Sequence, residues 1–157
     1  RDTRLRPSIY LELNDGTRVI LDYKSGKTSI KSWEGERPDE PQLPLYAIDM
    51  RQRQPVAAAL FAQLRAGDLA FNGLAARTGI APRVKPAGEN EGAWQAQLDA
   101  WQTTLTSLAK AFRAGDARVD PKEFPQTCEH CGLQALCRVH ERHPEIVEDE
   151  SGGEGDD

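Results

Sequence analysis

The chain has 157 residues, 38 % hydrophobic and 29 % charged, enough for one soluble domain with a real core and too few for two comfortable ones. No apolar run approaches a membrane span and no signal peptide is visible, so the expected setting is cytoplasmic, away from membranes. The net charge of −5 is uneven: the last 13 residues, EIVEDESGGEGDD, hold seven acids and no Lys or Arg, leaving about +2 on the rest, a balance that neither demands nor excludes DNA.

The sequence starts at Arg1 in mid-pattern and reads as a fragment of a longer protein. Ser8 to Leu13 (SIYLEL) alternates, and Thr17 to Tyr23 (TRVILDY) is rich in β-branched residues. Between them, Asn14-Asp15-Gly16 predicts a hairpin, because Asp-Gly tolerates the positive φ of a tight turn. Period-2 geometry puts Ile20, Asp22 and Lys24 on one strand face, with Val19, Leu21 and Tyr23 on the other. Residues 25–41 are polar, with two glycines and two prolines, and are expected to form a loop.

A helix is expected from Pro41 or Pro44 to about Gln54, with Gln42 and Tyr46 one turn apart on one face. Val56 to Leu64 (VAAALFAQL) and Leu69 to Ala75 (LAFNGLA) read as a strand pair, the first ambiguous with a helix because of its alanines. Residues 76–92 are loop-like. From Trp94 to Ala114 an apolar stripe (Trp94, Leu98, Trp101, Leu105, Leu108, Phe112) predicts the clearest helix, stopped by Gly115. The tail from Glu145, without apolar residues after Val147, is expected to be disordered. No internal repeat is visible, and the element order implies a mixed sheet with helices against it.

The stretch VILDYKSG, Val19 to Gly26, ends an apolar strand with an acid and a base on one face. A carboxylate there can bind Mg²⁺, which takes a few hard oxygen ligands and keeps several waters. A neighbouring lysine can orient the nucleophile or offset charge on a phosphate. The plain alternative is a strand edge meeting solvent.

Cys128, Cys131 and Cys137 form Cys-x2-Cys-x5-Cys, a spacing that lets thiolates converge on one soft metal centre. Zinc held by three cysteines and His140 or His143 is an alternative, as are three thiols without metal. His130, His140 and His143 read as ligands or surface residues, distant in sequence from Asp22. Trp94 and Trp101 could stack on bases, but their helical spacing favours core packing. Lys24, Lys27, Lys31, Arg37, Arg51 and Arg53 gather in sequence around the candidate site and could contact phosphates.

Asp22-Tyr23-Lys24-Ser25-Gly26, followed by Gln42-Leu43-Pro44-Leu45-Tyr46, resembles the PD-(D/E)XK nucleases of the RecB type. GERPDEPQLPLYAI and ALFAQLRAGDLAFNGLA extend the likeness to the C-terminal nuclease-like domain of bacterial DNA-repair proteins related to RecB and AddB, from about Leu5 to Glu141. The resemblance implies a restriction-endonuclease-like α/β fold with a Cys-rich, metal-stapled C-terminal segment. Residues 1–144 would form the nuclease domain, with the Cys segment at 124–141, and 145–157 the tail. It implies a Mg²⁺ (or Mn²⁺) site at Asp22, a catalytic Lys24, and Gln42 and Tyr46 supporting the site and contacting DNA. It also implies a [4Fe–4S] cluster on Cys128, Cys131 and Cys137, with a fourth cysteine far upstream. The substrate would be DNA, at single-stranded ends, and the partner a helicase subunit or domain.

One position departs from the family pattern. Aligning Leu13-Asn14-Asp15-Gly16 with the family's acidic turn puts Ser8 where a metal-binding Asp is expected, with Asp2 and Glu12 as substitutes. Hairpin register decides which of these shares a face with Asp22. A catalytically degenerate DNA-binding or scaffold domain, and a free-standing zinc-binding interaction module, are the competing expectations.

Overall fold

A computed structural model describes residues 9–142. Ser8 and Asp2, His143 and the acidic tail therefore lie outside the described residues. The chain divides into two compact units, the first ending at Ala114 and the second starting at Gly115.

The first unit is a five-stranded sheet with strands β1 (Ile9–Glu12), β2 (Arg18–Lys24), β3 (Val56–Arg65), β4 (Asp68–Ala75) and β5 (Lys85–Pro86) in sequence order. The β1–β2 and β3–β4 pairs are antiparallel, while β2–β3 and β4–β5 are parallel. A parallel neighbour cannot be reached by a tight turn, so the chain crosses from β2 to β3 through helix α1 (Gln42–Met50). The β1–β2 turn forms as Asp-Gly predicts: Gly16 has φ +78°, and Asp15 Oδ1 accepts from the Thr17 amide at 3.0 Å and its hydroxyl at 2.6 Å.

Alternation along β2 separates two cores. Ile20 faces a cluster with Ala59 and Phe61 of β3, Leu43, Ala47, Ile48 and Met50 of α1, and Trp94, Leu98 and Trp101 of α2 (Ala93–Arg113). Val19 and Leu21 face the other side with Ala58, Leu60, Ala62, Ala75 and Val84. A register shift between Arg18 and Val19 lets Val56 join the first core while Ala58 joins the second. Val56 to Gln63 is buried throughout. This settles the alanine-rich run as a central strand, because small side chains let helix and sheet approach closely.

The long helix departs from expectation at its end. Trp94, Leu98 and Trp101 are buried, yet Phe112 on the same stripe is 77 % exposed. Periodicity reports which residues share a face and not how far the partner surface extends. The expected loop of residues 25–41 also holds a short 3-10 turn, Ile30–Trp33, capped by Ser29. Its Trp33 packs on Phe61 at 4.9 Å and edge-on to Trp101 at 5.7 Å. That aromatic anchor ties the loop to the core.

In the second unit, residues 115–142 form a short 3-10 turn at Gln126–Cys128 and two one-turn helices, α3 (Gln134–Cys137) and α4 (Val139–Arg142). Gly115 takes φ +80°, the stop expected after α2. Among the described residues no helix is long and apolar enough to cross a membrane.

Candidate nuclease site

Asp22 and Lys24 close the C-terminal end of β2, beside the C-terminal half of the parallel strand β3. Ligands of α/β sheets gather at such carboxyl ends, where loops and helix starts converge. Asp22 pairs in register with Phe61 and Lys24 with Gln63, so both point to the face that α1 and α2 cover further down. The acid and base at the strand end thus sit where the helix-covered core gives way to an open edge.

The geometry around Lys24 is specific. Its Nζ lies 3.3 Å from Asp22 Oδ2 and 3.4 Å from Glu40 Oε2, and 5.6 Å from the Phe61 ring centroid. Partial burial pulls the Lys24 pKa down, but attraction to Asp22 and then to Glu40 outweighs it and holds the group above its ordinary value. At neutral pH this is an ammonium, suited to orienting anions and unsuited to taking a proton.

Asp22 Oδ2 is buried and has no hydrogen-bond partner despite the nearby ammonium. The Lys24 ammonium meets that oxygen at 3.3 Å as an ion pair without hydrogen-bond geometry, and a hard cation is another kind of partner such an oxygen accepts. Asp22 therefore offers one hard oxygen ligand to a divalent ion. Among the described residues no three His, Cys, Asp or Glu side chains group to hold one.

Glu12 does not supply a second ligand. It sits opposite Arg18 on β1 and pairs with it at 2.7 Å. From there Asp22 lies four residues along β2, roughly 13 Å away. The basic cluster also contracts. Arg51 binds Asp99 at 2.8 Å and Arg53 binds Asp49 at 2.9 Å, both just past the C-terminal end of α1, where cations complement the helix carbonyls. They stand at the opposite end of the helix from Gln42.

Gln42, in the first turn of α1, donates its side-chain amide to the Tyr46 hydroxyl at 3.4 Å. The expected face-sharing of this pair is thus present. Leu43, Pro44 and Ala47 bury the other side of the same turns.

Four further residues join this neighbourhood. Glu40 precedes α1 by two positions, and its amide donates to the Ser32 carbonyl at 3.1 Å. Buried Gln63 accepts from the Thr28 hydroxyl at 3.4 Å and donates to Asp68 Oδ2 at 2.7 Å. Asn72 donates to the Thr28 carbonyl at 2.9 Å. Together Gln63, Thr28 and Asn72 tether the loop that follows Lys24 to β3 and β4. Gln63 had a sequence signal, a lone amide in an otherwise apolar strand, whereas Glu40 had none. A pocket of about 430 Å³ at the β3–β4 hairpin end is lined by Gln63, Leu64, Leu69 and Phe71 among others, without Asp22 or Lys24.

In the second unit the Cys131 amide donates to the Cys128 carbonyl at 3.1 Å, closing a turn that carries both thiols. Cys137 ends α3, and its thiol donates to the Gln134 carbonyl at 3.5 Å. Burial, then the neighbouring Cys137 and Cys131, push the Cys128 thiol up, but among the described residues the three cysteines do not group to hold a metal ion. His140 is engaged otherwise, with Nε2 2.9 Å from Gln134 Oε1 and its ring edge-on to Phe124.

Searches of curated proteins and of solved structures return no match. The family model for the PD-(D/E)XK nuclease superfamily matches residues 10–138, a span that takes in both units and every described residue of the candidate site. These are generally hydrolases acting on nucleic acid and typically use Mg²⁺ or Mn²⁺. The mixed five-stranded sheet flanked by helices agrees with a restriction-endonuclease-like fold, and the chain belongs to the PD-(D/E)XK nuclease superfamily.

Proposed function

We propose that this chain is a metal-dependent deoxyribonuclease domain of the RecB/AddB-like subtype, hydrolysing DNA phosphodiesters at single-stranded ends within a bacterial DNA-repair helicase–nuclease. The observation that carries the reading is the buried Asp22 oxygen without a hydrogen-bond partner, beside a lysine held by two carboxylates. A divalent cation bound at Asp22 would supply Lewis acidity toward a phosphate and its attacking water. Lys24, charged and anchored, would orient that water or offset charge on the phosphate. Gln42 and Tyr46 would shape the approach of the DNA backbone from the first turns of α1. Residues up to 144 would form the nuclease domain, with an acidic tail beyond it, in a cytoplasmic protein. Cys128, Cys131 and Cys137 would carry a [4Fe–4S] cluster with a ligand from outside this sequence, zinc being the alternative metal.

A second reading has one specific support: Ser8 stands where the family resemblance expects a metal-binding Asp. On that reading the domain binds DNA without cutting it. The deciding assay is cleavage of end-labelled single-stranded DNA with Mg²⁺ or Mn²⁺, comparing wild type with Lys24→Ala. The nuclease reading expects metal-dependent cutting that falls about 10²–10³-fold in the variant. No cutting by folded wild-type protein, with activity gained in Ser8→Asp, would establish the degenerate reading instead.

A further inference from the structure

Glu40 lies outside the pattern that singled out Asp22, Lys24, Gln42 and Tyr46. Its carboxylate nevertheless stands 3.4 Å from the Lys24 ammonium, matching the 3.3 Å contact with Asp22. We infer that Glu40 is a positioning residue of the site, holding the Lys24 ammonium in place when a divalent cation occupies the Asp22 carboxylate. The inference rests on the nuclease reading and adds to it a residue with a separate role.

The physical need follows from charge. A cation on Asp22 repels the ammonium that shares the same oxygen. Lysine has a flexible four-carbon stem with large rotamer freedom, and the Lys24 side chain is already 32 % exposed. Without a second anion it would swing toward solvent as the metal arrives. Glu40 is that second anion.

Glu40 is itself held in place. Its amide is fixed on the Ser32 carbonyl, and the neighbouring Trp33 is locked between Phe61 and Trp101. Pro41 and the start of α1 follow directly. Phe61 also lies beneath Lys24, so a single aromatic core registers both partners of the ion pair. The Glu40 side chain is 42 % exposed, and exposed ion pairs contribute little to folding. Its loss should therefore register in function and leave stability unchanged.

The experiment uses the full chain with Glu40→Gln and Glu40→Asp, each alone and with Lys24→Ala, and Mn²⁺ as the metal probe. In Glu40→Gln the thermal midpoint, Mn²⁺ affinity and KM should stay within about twofold or experimental scatter, while kcat falls roughly ten- to a hundredfold. Glu40→Asp should recover part of the loss. With Lys24 already alanine, Glu40→Gln should cost nothing more, because the two act as a unit. An unchanged kcat, or an equal loss in the Lys24→Ala background, overturns the inference. Mn²⁺ binding weakened about tenfold also overturns it, making Glu40 a metal ligand.

A wild type that does not cleave would sink the nuclease reading alone. The positioning role is then read by ¹³C relaxation of the Lys24 Cε in Mg²⁺. Greater Lys24 mobility in Glu40→Gln than in wild type supports the role, and equal mobility refutes it.

Discussion

Gly73 of β4 stands opposite Leu60 of β3, and replacing it with alanine sets two effects against each other. Removing a glycine restricts the unfolded chain and favours folding by about 0.4–1 kcal/mol where the new side chain fits. Here it does not fit. An added Cβ would lie 2.8 Å from both Leu60 Cα and Leu60 Cδ2, with the Ala59 carbonyl oxygen closer still. Overpacking a tight interior costs about 1–3 kcal/mol. The obstacle is backbone of the central strand, so the upper part of that range applies. The clash should win by roughly 1–2 kcal/mol. With a urea slope near 2 kcal/mol/M, the unfolding midpoint should drop by about 0.5–1 M at unchanged slope. Gly26→Ala is the control, because a Cβ there meets nothing within 4 Å, and its midpoint should hold or rise. If Gly73→Ala behaved like Gly26→Ala, the close approach of β3 and β4 would be wrong. The placement of Asn72 on Thr28 would fall with it.

Three further outcomes are expected. Trp94→Phe removes the indole donor that bonds the Val56 carbonyl at 2.6 Å in a buried position, and leaving that acceptor unpaired should destabilise by about 1–3 kcal/mol in a urea melt. Asp15 is held at a pKa of about 2 by hydrogen bonds from the Thr17 side chain and amide, and then by Arg77. Its folded pKa is depressed, so its contribution is present above about pH 4. The stability gap between wild type and Asp15→Asn should therefore stay constant down to that point and close as pH falls toward 2. Anaerobically purified protein should carry iron that is lost in Cys131→Ser. Zinc at one per chain would select the zinc alternative, and no metal would leave free thiols.

Much of the scaffold was legible because it rests on local rules. Alternation in SIYLEL and TRVILDY, Asp-Gly between them, and the spacing of Trp94, Leu98 and Trp101 each depend on residues within a few positions of one another. Asp22 and Lys24 on one face follows from the pleat alone. Local rules lose force where a partner surface ends, so the stripe of α2 ran past the core to an exposed Phe112.

The site's finer composition was decided in three dimensions. The sequence alone determined that an acid and a base share the end of β2 and that Gln42 and Tyr46 share a helix face, since both follow from backbone period. It could not determine that Glu40 reaches Lys24 while Arg51 and Arg53 turn away to Asp99 and Asp49. Those outcomes depend on the crossover from β2 to β3, which brings the start of α1 to the carboxyl end of β2 and carries its end elsewhere. Proximity in sequence had placed Arg51 and Arg53 at the site and passed over Glu40. The tertiary fold reversed this, bringing in the residue whose amide is held on Ser32, next to the core-anchored Trp33.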